Sequence, residues 1–68
     1  MTVFLNGEPR ELPPGASLAL AVEAAGAPPG RRGIAVAVDG EVVPRDRWDD
    51  VELADGQRVE VIQAVQGG

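Results

Sequence analysis

The sequence predicts an α+β fold in which one short helix covers one face of a mixed, four- to five-stranded sheet. Three observations carry this. Short β-prone runs flank Asn6-Gly7 and Asp39-Gly40, dipeptides that tolerate positive φ and favour two-residue hairpins. One segment only, about Leu18 to Ala25, has helical apolar spacing. And 68 residues leave room for a single small core.

Thr2 to Leu5 reads as the first strand, with Val3 and Leu5 on one face and Phe4 on the other. After Asn6-Gly7, Glu8 to Leu12 returns as the second strand. Pro9 cannot donate a ladder hydrogen bond, which puts this strand at an edge. Pro13-Pro14-Gly15 ends it, and Ser17 is an N-cap for the helix. Leu18, Ala21, Val22 and Ala25 share one helical face, which Leu20 is expected to widen, while Glu23 points to solvent. Gly26 suits the position after the helix, and Pro28-Pro29 prevents its continuation. A helix this short needs a sheet to pack on.

Arg31-Arg32 lies in the following Pro/Gly loop and reads as a solvated pair. Ile34 to Val38 is apolar without alternation, which implies burial on both faces or a central position. Glu41 to Val43 returns after Asp39-Gly40 and stops at Pro44. Arg45 to Asp50 reads as a single helical or 3₁₀ turn that carries Trp48 as a core anchor. Asp55-Gly56 is a third turn, and Arg58 to Val65 is the last strand. Its Val59, Val61 and Val65 share one face, with Glu60, Ile62 and Ala64 on the other. A parallel pairing of first and last strands would put the tail at the edge of the sheet.

The residue inventory excludes most chemistry. There is no cysteine, histidine or tyrosine, and all 6 basic residues are arginine. Thr2 and Ser17 are the only hydroxyl side chains, with no base to activate them. A self-contained covalent enzyme is not expected. The carboxylates Asp46, Asp49, Asp50, Glu52 and Asp55 lack the spacing of a calcium loop and read as a solvated acidic face. A net charge of −5 disfavours nucleic acid and anionic membrane and favours a partner presenting basic groups. No apolar run reaches transmembrane length and no signal pattern opens the chain, so a cytoplasmic protein, monomeric when free, is expected.

The chain stops on Gly67-Gly68. Such an end is either a frayed terminus or a device in which the Gly68 carboxylate is the reactive group. In the second case two residues without Cβ let the backbone pass a narrow cleft. Residues 1–65 then form the folded domain, and residues 66–68 a flexible tail through which Gln66 and Gly67 give access to Gly68.

Three features meet a known pattern: Val38-Asp39-Gly40-Glu41-Val42-Val43-Pro44-Arg45 followed by Trp48, the turn Asp55-Gly56-Gln57, and the terminal Gly67-Gly68. Together with Leu5-Asn6-Gly7-Glu8 they resemble the ThiS family of ubiquitin-like bacterial sulfur carriers over essentially the whole length. Members commonly carry Asn at position 39, Asp at position 57 and a third small residue at position 66. The resemblance implies a β-grasp fold and a role in thiamine biosynthesis. It implies that a ThiF-like enzyme, using ATP and Mg²⁺, adenylates Gly68. Sulfur drawn from cysteine by a desulfurase would then make a thiocarboxylate, for delivery to a ThiG-like thiazole synthase. This chain would bind no cofactor itself. If the helix covers the Val3/Leu5/Val59/Val61 face, Phe4, Ile62 and Ala64, with Glu60 beside them, form a partner surface on the other. Alternatively, Phe4 is covered by its own chain. A carrier for molybdopterin or tRNA thiolation, a ubiquitin-like modifier and a plain scaffold are the competing functions.

Overall fold

The computed structural model describes residues 1–27 and 32–63. Expectations for Pro28-Pro29 and Arg31, and for Ala64, Val65, Gln66, Gly67 and Gly68, fall outside the described residues. The elements run β1 (Thr2–Leu5), β2 (Glu8–Glu11), α1 (Leu18–Ala24), β3 (Ile34–Val38), β4 (Glu41–Val43), a 3₁₀ turn (Arg45–Arg47) and β5 (Arg58–Gln63). They form one five-stranded sheet in the order β2-β1-β5-β3-β4. β1 and β5 are parallel, and the other neighbours are antiparallel.

Both hairpins turn as their dipeptides predict. Asn6 and Asp39 have φ of 50°, and Gly7 and Gly40 follow at 86° and 85°, the left-handed pair of a type I′ turn. β2 occupies one edge of the sheet, where Pro9 opposite Phe4 interrupts no interior ladder.

The helix begins where Ser17 accepts from the Leu20 N–H at 3.2 Å. Two further N-terminal donors are satisfied from outside, Leu18 by the Val51 carbonyl at 2.8 Å and Ala19 by the Trp48 carbonyl at 3.0 Å. It ends in a Schellman arrangement: Gly26, at φ 86°, donates to Glu23 at 3.0 Å and Ala27 donates to Val22 at 3.3 Å. Its buried face is Leu18, Ala19, Ala21 and Val22. The expectation for Leu20 is corrected, since it is exposed. At 3.6 residues per turn it projects about 180° from the midpoint between Leu18 and Val22.

The core joins this face to Val3, Leu5, Val36 and Val59 from the sheet and to Leu12, Ala16, Trp48 and Leu53 from the connections. Trp48 is almost fully buried, and its Nε1–H donates to the Val43 carbonyl at 2.9 Å. The long link between β4 and β5 is thereby pinned to the edge strand and to the helix start at once.

The expectation for β3 holds in one of its two alternatives, and that for the tail is revised. β3 is interior to the sheet, but only its Val36 face is sealed, because Ala35 is exposed. A single helix covers one face, so the second apolar face of β3 meets solvent. And β5 is the central strand of the five, so the chain leaves from the middle of the sheet and not from its edge.

Candidate functional site

The helix seals one face of the sheet, and strand alternation assigns the residues of the other. On that uncovered face Phe4 and Arg58 are partners across β1 and β5. Next along β5 come Glu60 opposite Ala37 and Ile62 opposite Ala35, with Val42 beyond Ala37 on β4. Phe4 is 37% exposed, Ile62 57% and Val42 72%. Phe4 is therefore part-exposed among the described residues.

A shallow groove at one end of this face is lined by Phe4, Asn6, Gly7, Arg58, Val59 and Glu60. It places an aromatic edge beside one positive and one negative side chain. Apolar area on an otherwise charged surface, with charges at its margin, is the composition of a protein contact. Of the residues named from sequence, Phe4 and Glu60 line this groove and Ile62 lies farther along the same face, whereas Ala64, Gln66, Gly67 and Gly68 lie outside the described residues. Ala35 and Val42 were missed. The unalternating Ile-Ala-Val-Ala-Val of β3 does not say which of its faces a helix covers.

The start of β5 is tied to the β3–β4 turn through Asp39. Its Oδ1 accepts from the Arg58 N–H at 3.0 Å and its Oδ2 from Gln57 Nε2 at 3.1 Å. The Asp39 N–H in turn donates to the Arg58 carbonyl at 2.8 Å. The backbone bond from Arg58, then the Gln57 amide, hold the Asp39 carboxyl below its usual 3.8, with the Arg58 charge assisting. Farther along, Asn6 Oδ1 accepts from the Val61 N–H at 2.8 Å.

The carboxylates Asp46, Asp49, Asp50, Glu52 and Asp55 are all exposed. Asp55 Oδ1 accepts from the Thr2 N–H at 2.7 Å. Among the described residues none of these acids forms a group able to hold a metal ion, and no helix is long and apolar enough to cross a membrane.

The sequence model of the ThiS family matches residues 3–68, the terminal glycines included. The chain belongs to the ThiS family. Among solved structures it is similar to the crystal structure of the thiamine biosynthesis protein ThiS from Geobacter metallireducens. That likeness has 24% identity, complete coverage of both chains and a TM-score of 0.80. The solution NMR structure of a thiamine biosynthesis protein from the same organism is also similar, with 24% identity and a TM-score of 0.78. It is matched by all of this chain and covered over 88% of its own length. These likenesses establish the β-grasp fold of this chain. The comparison with curated proteins gives no match.

Proposed function

We propose that this chain is a sulfur carrier of thiamine biosynthesis whose working group is the Gly68 carboxylate. The observation that carries the reading is the family match, which runs to the last residue and so includes Gly67-Gly68. The residue inventory supports it. With no cysteine, histidine or lysine, the chain is suited to be the substrate of other enzymes rather than a catalyst.

A carboxylate is a poor acyl donor because oxide is a poor leaving group. A ThiF-like partner, holding ATP and Mg²⁺ itself, converts it to an acyl-adenylate and releases pyrophosphate. A persulfide that a desulfurase forms from cysteine displaces AMP to give an acyl disulfide. A second thiol cleaves this to a disulfide and the free thiocarboxylate, and the thiocarboxylate donates sulfur to a ThiG-like thiazole synthase. Gly67 and Gln66 give the cleft access to Gly68. The face bearing Phe4, Glu60, Ile62, Ala35 and Val42 is the docking surface, and its exposure supports that role.

Intact mass tests the reading. Incubation with a ThiF-like enzyme, ATP, Mg²⁺ and a sulfur source gives a gain of about 16 Da, the exchange of oxygen for sulfur at an activated acyl end. Deletion of Gly68 abolishes the gain. A gain that survives the deletion refutes the tail chemistry. Charging that supports another thiolation but no thiazole formation refutes the thiamine assignment alone.

A further inference from the structure

β1 accompanies β5 for a short distance only. The parallel register pairs Phe4 with Arg58 and Leu5 with Val59, and the Asn6 N–H still donates to the Val59 carbonyl at 2.9 Å. At Asn6 the backbone enters the left-handed region, φ 50°, and leaves for β2. In a continuing parallel ladder the Asn6 carbonyl would accept from the Val61 N–H, and the N–H two residues later would donate to the Val61 carbonyl. The turn carries both of those backbone groups away.

The Asn6 side chain supplies them instead. Its Oδ1 accepts from the Val61 N–H at 2.8 Å, and its Nδ2 donates to the Val61 carbonyl at 3.4 Å. The amide stands in for the missing peptide group of β1. On its other side β5 stays paired with β3 as far as Ile34 and Gln63. The strand is therefore held from both sides up to Val61, two residues farther than the register of β1 alone reaches.

We propose that Asn6 is a positioning residue for the reactive end. By clamping Val61 it fixes the backbone of β5 two residues before the last described residue of the strand, Gln63. This inference rests on the reading of Gly68 as the group that is adenylated. Loosening the clamp lets the end of β5 fray, and the partner must then re-order it on docking. That cost falls on binding and not on the chemical step.

Two variants separate the clamp from the turn. Asn6→Gly keeps the left-handed turn and removes the amide, whereas Asn6→Asp keeps the acceptor for the Val61 N–H and loses the donor. Gly40→Ala, which strains the other hairpin at φ 85°, serves as a variant that is destabilised but leaves Asn6 in place. Hydrogen exchange at the Val61 amide and the kinetics of thiocarboxylate formation with a ThiF-like enzyme and ATP are read for each.

Asn6→Gly is expected to speed exchange at Val61 about tenfold, the effect of losing one net hydrogen bond. It is also expected to raise KM for the carrier about three- to tenfold with kcat unchanged. Asn6→Asp falls between it and the wild type, and Gly40→Ala leaves KM alone. An unchanged KM in Asn6→Gly overturns the inference. So does a raised KM without faster exchange at Val61, which would mean direct partner contact, or an equal rise in Gly40→Ala, which would mean general instability. Wild-type protein that is never charged removes the reading beneath it as well, and so is told apart from these outcomes.

Discussion

At positions 39 and 57 the chain carries an acid and an amide where ThiS-family members commonly carry an amide and an acid, and the two side chains touch. Gln57 Nε2 donates to Asp39 Oδ2 at 3.1 Å while Gln57 Oε1 accepts from the Ala54 N–H at 2.7 Å. The two departures are one exchange, with donor and acceptor traded across a single contact. Asp39→Asn alone sets two NH₂ groups against each other, because turning the Gln57 amide over would forfeit the bond from Ala54. It is expected to lower the melting temperature, and adding Gln57→Asp should recover most of the loss. A double-variant cycle showing no coupling would refute this. The same carboxylate gives a pH dependence. Its folded pKa is depressed below 3.8, so its contribution is fully present above about pH 4 and is lost as pH falls through the folded value. Denaturant midpoints measured from pH 5 down to pH 2 should therefore fall less steeply in Asp39→Asn, which has no carboxyl to titrate at that position. From sequence, positions 39 and 57 were legible as turn residues. Their contact was not, because 18 positions separate them and only the sheet brings them together.

The link from β4 to β5 has little regular structure, yet it holds two elements. Trp48 fills the core under the helix start, its indole N–H satisfies Val43, and its own carbonyl accepts from Ala19. Truncation by Trp48→Ala is expected to cost about 3–5 kcal/mol, which approaches the whole stability of a domain this size. Loss of the cooperative thermal transition in circular dichroism checks it. At the other end of the same contact, Ser17→Ala removes the cap on Leu20 and should cost about 1 kcal/mol in urea unfolding. Helix limits, both hairpins and the buried Trp48 could be read from the chain because capping, turn chemistry and aromatic burial are local or nearly so. Leu20 could have been placed from helical angle alone. The one-sided burial of β3 could not, since it depends on how many layers cover the sheet.

Across the molecule the division is between a sealed face and an open one. The sealed face uses all the large buried side chains, and the open one leaves Phe4, Ile62 and Val42 in solvent. Ile62→Ser and Val42→Ser should each change stability by at most about 1 kcal/mol, as exposed strand positions do. If this is the docking surface, each should weaken capture by a ThiF-like enzyme about fivefold or more. Equal affinity of both variants and wild type, measured by titration calorimetry, would place docking elsewhere.

The amino-acid sequence by itself determined the element order, the hairpin turns, the Trp48 anchor and the Gly67-Gly68 ending, because each depends on residue chemistry within a few positions. Tertiary structure decided that β5 is central, that β3 shows its second face to solvent, and that Asn6 reaches 55 positions along the chain to Val61. Those facts follow from strand order. Strand order is a competition among long-range pairings, and a one-dimensional pattern of apolar and polar residues does not resolve it.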